Sequence, residues 1–222
     1  MLQPLPPAFC WSKFGTEAGE SALAILNRKE AERHGGGGVF LWGIGSSIRP
    51  SLLTLLEVVD DPVVVFSPMR SPTAARDYAP EVVVRWHSAR GLDGRPFALP
   101  ANAVVTSSLN SRRRHFALVC HRRTSLLQQA NDLWIDDENL RNLRTGTRVG
   151  SSQVTAVVRK IGQGGEPRYR VAFHAHLTAP YLVSLEDPVP LNTLAVDGHE
   201  RGDNLREQAR AIVNVTPGCR AP

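Results

Sequence analysis

The pattern of this 222-residue chain predicts an α+β fold: a small twisted β-barrel with two N-terminal helices and a β-rich C-terminal extension. Three observations carry that expectation. Short apolar, β-branched runs recur along the chain, separated by Gly-, Pro- and Ser-rich turns. Only two early stretches have the spacing and end signals of substantial helices. The connections are short, so strands adjacent in sequence are expected to be adjacent in space. A parallel sheet with βαβ crossovers would contradict this reading.

The first strand is expected at about Ala8 to Lys13. "TEAGESALAILNRKEAERHGGGG" then reads as a helix with an apolar side at Leu23, Ile25 and Leu26. Glu17 and Glu20 suit its positive N-terminal end, Arg28, Lys29 and Arg33 suit the other, and the run Gly35 to Gly38 stops it. A second strand follows at Val39 to Ile44. A shorter helix begins near Pro50, a residue tolerated in a first turn, and runs to Asp60. "DP" opens a third strand at Val63 to Phe66. Further strands are expected at Glu81 to Ala89, Ala103 to Thr106 and His115 to His121. "WIDDENLRNLRTG" offers a short helix capped by Asp136 and closed by Gly146. "SSQVTAVVRKIGQGGEPRYRVAFHAHL" reads as a β-hairpin with a Gly-rich loop, and "YLVSL" as a last strand. Residues 8–190 are expected to share one core, and 191–222 to form a polar tail with a weak helix in "DGHERGDNLREQAR".

Hydrophobic residues make up 42% and charged residues 21%, as in ordinary globular proteins rather than disordered ones. No apolar run approaches the roughly 20 residues of a membrane helix. "MLQPLPPAF" lacks the basic flank and apolar core of a signal peptide, so a cytoplasmic protein without a membrane partner is expected. Cys10, Cys120 and Cys219 are odd in number and widely spaced, which excludes a disulfide framework and a cysteine zinc site. The net charge is +5, and of 26 basic residues only Lys13, Lys29 and Lys160 are lysines. Arginine's planar fork suits phosphate and base edges, although an arginine-rich codon composition would give the same count.

Three strand ends carry the chemistry. "FCWSKFG" brings Trp11, Ser12 and Lys13 together. "GVFLWGIGSS" runs from a strand into Trp42, Gly43, Ile44, Gly45 and Ser46, where glycines let the backbone turn or approach a ligand closely. "VVVFSPMRSP" ends in Phe66, Ser67, Met69, Arg70 and Ser71. Aromatic faces, hydroxyls and cations at three strand ends are what a pocket for a flat polar ligand needs. Trp42 and Phe66 would equally serve as core.

The order of these pieces, "CWSKFG", "LWGIGSS" and "VVVFSPMRSP" followed by "EVVVRWHSA", resembles the EVE domains of the PUA-like superfamily over Phe9 to Thr124. Three departures stand out. Serine precedes lysine (Ser12, Lys13), Ser46 replaces an asparagine, and the histidine expected beside Phe66-Ser67 is missing. The resemblance implies a barrel that reads a modified base flipped out of DNA, in preference to a nucleotide of RNA, without a cofactor. Flipping costs a few kcal/mol, recovered by stacking and edge hydrogen bonds. Trp11, Trp42 and Phe66 would supply faces, and Ser12, Ser46 and Ser67 edge contacts.

"SRRRHF" and "CHRR" bracket one strand with five arginines. Arg76, Arg112, Arg113, Arg114, Arg122 and Arg123 are the candidate phosphate contacts, and Arg70, Arg76 and Arg112 to Arg114 are expected on one face with the pocket mouth. His174 and His176 share a strand face at a spacing a metal site can use, but no cluster completes four ligands, so no metal is expected. Cys120 and His121 point to opposite faces, poor geometry for a nucleophile–base pair. No GxSxG, Walker loop, HExxH or paired-carboxylate signature is present. The competing readings are an enzyme on the same barrel, with His87, His115 or His121 as base, and a protein-interaction domain whose basic surface is incidental.

Overall fold

The computed structural model describes residues 5–15, 20–69, 82–107, 115–128, 133–150, 153–162, 166 and 168–190. The chain divides into a compact unit Met1–Pro190 and a second unit Leu191–Pro222, and all described residues belong to the first. The expected tail helix therefore lies outside the described residues.

Two helices and a strand-rich sheet make a mixed α+β fold. The elements are β1 (Ala8–Phe14), α1 (Ala22–Gly35), β2 (Val39–Ile44), α2 (Arg49–Val58), β3 (Val63–Pro68), β4 (Val82–Gly91) and β5 (Val104–Ser107). They continue with β6 (His115–His121), β7 (Trp134–Ile135), β8 (Leu140–Asn142), β9 (Thr155–Lys160), β10 (Tyr169–Arg170) and β11 (Phe173–Pro190). The main sheet runs β2-β6-β11-β3-β1-β9-β8, with β4 paired to β11 and β5 to β4, while β7 and β10 pair separately.

Two local expectations change. The stretch after Trp134 is not one helix. Asp136 does act as a cap, accepting from the Glu138 amide, but for a 3-10 turn of three residues that gives way to β8. The expected hairpin is absent because its arms take different partners. β9 pairs with β1 and β8, whereas β11 pairs with β3, β6 and β4. β11 is also longer than "YLVSL". Its register breaks between Leu177 and Leu182, at Pro180, which has no N–H to give a ladder. β1 and β3 pair in parallel, a crossover within an otherwise antiparallel sheet.

All seven residues of β1 are buried, because layers cover both faces of the strand. Cys10 and Phe14 face one cluster with Phe40, Trp42, Phe66, Leu118 and Phe173, which α2 closes with Leu52 and Leu55. Phe9 and Trp11 face another, with Val65, Val158 and Tyr169. A third cluster, including Leu41, Val84, Trp86, Val119 and Val183, fills the curve of β2, β6, β11, β4 and β5.

Ser21 caps α1, its hydroxyl accepting from the Ala24 amide, and the glycine run ends it, with Gly37 at φ 63° and Gly38 at φ 100°. Gly38 has a second reason to be glycine, since a Cβ there would stand 2.9 Å from His121 Nε2. The expected apolar side is only partly used. Ile25 is buried, but Leu23 is 46% exposed. Lys29 and Glu32 point inward instead. Glu32 accepts from Lys29 Nζ at 2.7 Å and from the Leu41 amide of β2 at 2.8 Å. Lys29 and Arg28 both donate to the Val104 carbonyl of β5. Among the described residues the hydrogen-bonded sheet is open. Between β2 and β5 these α1 side chains stand where a closed barrel would have a backbone ladder.

Candidate functional site at the ends of β1, β2 and β3

The three strand ends singled out above come together. The parallel register sets Ser12 beside Phe66 and Lys13 beside Ser67, and the Met69 amide donates to the Phe14 carbonyl at 2.8 Å. Two indoles tie the strands side to side. Trp11 Nε1 donates to Ser67 Oγ at 3.1 Å, and Trp42 Nε1 donates to Ser12 Oγ at 3.0 Å. Ser12 Oγ also lies 3.1 Å from Thr155 Oγ1 of β9.

Strand periodicity divides these residues between two faces. On the inner face lie Ser12, Trp42 and Phe66. Trp42 meets Phe66 edge-on at 4.6 Å between centroids and Phe14 at 6.1 Å, while Phe66 stacks on Phe173 at 4.3 Å. The rings therefore occupy one another's faces, and Trp42 is 8% exposed. Gly43 and Ile44 are half-buried, and Gly45, Ser46 and Ser47 are exposed at the rim before α2. Gly45 has an ordinary φ of −70°, and a Cβ there would meet only Ser47 Oγ at 3.9 Å. No left-handed turn or close approach requires glycine there. Met69 is half-buried and packs its sulfur close over Gly15.

On the outer face lie Trp11, Lys13 and Ser67, all buried, together with two residues that sequence reading missed. Tyr169 meets Trp11 edge-on at 4.9 Å. Lys13 Nζ lies 5.1 Å from the Trp11 ring centroid and 5.4 Å from that of Tyr169, a cation against two π faces. Burial lowers the Lys13 pKa, and the Asp137 charge opposes that shift. Asp137 lies more than 120 residues away in sequence, and only the cap signal at Asp136 marks its neighbourhood.

The candidate phosphate contacts separate. Arg122 is built into the framework. It donates to the His174 carbonyl at 2.6 Å and the Ser125 carbonyl at 3.3 Å, and its guanidinium lies over Phe173. Arg123 is exposed. Arg70, Ser71, Arg76, Arg112, Arg113 and Arg114 lie outside the described residues.

The candidate bases are dispersed. His87 is exposed on β4, His115 tilts against Trp86 with its pKa lowered by burial, and His121 lies over Gly38. His176 Nδ1 is 2.9 Å from Asp61, whereas His174 Nδ1 is buried without a partner. Among the described residues no group of three His, Cys, Asp or Glu side chains is placed to hold a metal. Burial pushes the Cys10 thiol up to about 12 and the Cys120 thiol up as well, which keeps both unreactive. A groove of about 460 Å³ opens at the other end of β2, between Gly36, Val39, Phe97, Pro100 and Thr178, and of the three runs only Val39 lines it. No helix among the described residues is long and apolar enough to cross a membrane. No protein-family model matches this chain, and no curated protein and no solved structure matches it either.

Proposed function

We propose that this chain is a nucleic-acid-binding reader of the EVE, PUA-like kind, accepting a modified base of DNA in preference to RNA at the ends of β1, β2 and β3. One observation carries the reading. Three runs separated in sequence, rich in aromatic, hydroxyl and cationic residues, are joined by Trp11–Ser67 and Trp42–Ser12 hydrogen bonds. A curved sheet whose β2 and β5 edges are bridged by α1 supports the barrel-like part of the proposal. In this reading Trp11, Lys13 and Ser67 form the base-facing side, Gly43 to Ser46, Met69, Arg70 and Ser71 its rim, and Ser12, Trp42 and Phe66 the support behind it. Arginines outside the pocket contribute phosphate contacts that position the duplex without reading it.

The test is an electrophoretic binding series with unmodified, base-methylated and phosphorothioate duplexes, run beside a nuclease assay. Preference for one modified duplex, with affinity falling steeply with salt, is the expected result. Cleavage would favour an enzyme. Binding to none of the duplexes would favour a protein-interaction domain.

A further inference from the structure

Three arginines stand in line across the end of the main sheet that β8 closes. Arg159 of β9 lies opposite Arg141 of β8, and Arg141 is bridged on its other side to Arg148. Leu140, Val149 and Val158, each the sequence neighbour of one of them, turn into the cluster around Trp11, so the three arginines share the opposite face. Like charges set directly opposite one another on a sheet are destabilising, so this row does not stabilise the fold. Nor is it neutralised. Among the described residues the carboxylate paired with it is Glu138, at 3.5 Å from Arg148, and Arg168 holds the same oxygen more closely. Arg141 directs its guanidinium to the Glu138 and Leu140 carbonyls, which fixes the side chain and leaves its charge. Arg159 is exposed and has no polar partner among the described residues.

The turn between Arg141 and Arg148 is itself well tied. Asn142 Oδ1 accepts from the Arg144 and Thr145 amides at 3.1 Å each, and the Gly146 amide donates to the Asn142 carbonyl at 2.9 Å. With neighbouring strands about 4.8 Å apart, the row is roughly 10 Å long, the axial length of about three phosphates along one strand of a duplex. Ala8, opposite Arg159, lies on the same side of β1 as Ser12, about 13 Å away at about 3.3 Å per residue. A guanidinium offers a planar fork of donors that fits the oxygens of a phosphate, and several in line fit an anion that repeats. We propose that Arg159, Arg141 and Arg148 form a phosphate-binding row along which the backbone of the bound nucleic acid lies. The assignment rests on the reader function proposed above, and gives it backbone contacts that are independent of the base.

The test uses unmodified, base-methylated and phosphorothioate duplexes, with inorganic phosphate at matched ionic strength as a separate arm. Arg148→Gln/Arg159→Gln should weaken every duplex by the same factor, about tenfold at low salt, and make the slope of log affinity against log salt shallower by about two. Arg85→Gln/Arg95→Gln removes the same charge from exposed positions off the row and should leave the slope nearly unchanged. In proton–nitrogen spectra of the full chain, the Arg148 and Arg159 Nε–Hε signals, assigned by the single variants, should shift saturably with duplex and only weakly with phosphate. The melting temperature of Arg159→Gln should match or exceed that of wild type, since a like-charge neighbour is removed. A lower one would mark Arg159 as structural and overturn the assignment. It is overturned as well if the double variant binds like wild type, or if the off-row pair loses as much. Saturation of the signals by phosphate, with none by duplex, would make the row a site for a free phosphate compound instead. Equal wild-type affinity for all duplexes, with the row variant weakened, would remove the modified-base reading and keep the row. A retained preference with an unaffected row variant would do the reverse, and binding to no duplex would remove both.

Discussion

Replacing Lys29 by methionine probes how α1 holds the sheet. Lys29 is 3% exposed and Glu32 is 0%, so the substitution strands a carboxylate in the interior with only the Leu41 amide as partner. It also removes one donor from the Val104 carbonyl, leaving Arg28. Removing one member of a buried ion pair costs about 3–5 kcal/mol, a large part of a domain's stability. The cost belongs to the stranded charge rather than to the lost attraction. Lys29→Met/Glu32→Gln should therefore recover much of it, because a neutral amide oxygen can still accept from Leu41. Urea denaturation of the four proteins of this cycle at neutral pH measures both the loss and its recovery. The reasoning fails if Lys29→Met costs less than about 1 kcal/mol, or if the double variant costs the sum of the singles.

Two further outcomes test other parts of the structure. Trp42→Ala should cost about 3–5 kcal/mol in a melting experiment, as for a core aromatic, while Trp42→Phe should lose only the Ser12 hydrogen bond, about 0.5–1.5 kcal/mol. Normal stability of Trp42→Ala would show that the ring is not core. Arg33, and after it the Leu126 amide, hold the Glu30 carboxyl down to about 2, so its stabilisation is complete above about 4.5 and lost as pH falls towards 2. Glu30→Gln should then be less stable than wild type at neutral pH, with the gap closing in urea midpoints taken across that range; a constant gap refutes the assignment.

The elements read most accurately from sequence are those whose signals are local. β2 and β6 occupy the expected Val39–Ile44 and His115–His121, bounded in sequence by glycines and by a run of arginines. α2 begins at Arg49, one residue before the expected Pro50, and ends at Val58, two residues short of the expected Asp60. Pairing was not legible, because β9 and β11 lie close in sequence, with only the two-residue β10 between them, yet their partners are chosen by packing across the whole sheet. The site shows the same limit in miniature. Trp11, Ser12 and Lys13 belong together as a motif, yet a strand turns adjacent side chains to opposite faces, so the serine joined Trp42 while its neighbours met Tyr169. The Lys29–Glu32 pair was hidden for a different reason, since charges near a helix end ordinarily read as solvated.

The placement of those two charges also governs what the sheet can bind. β2 ends the main ladder and β5 ends its branch, the kind of edge that recruits an extended peptide or a second copy of the chain by strand addition. At β2 the Leu41 amide is already taken by a carboxylate, and at β5 the Val104 carbonyl is already taken by two cations. A competing strand would have to displace a buried ion pair to form its first backbone bonds. The remaining terminal strand, β8, offers only three residues. The same helix that closes the curve of the sheet thus acts as a guard against fibre-like association, and its loss would expose β-augmentation sites on both flanks at once.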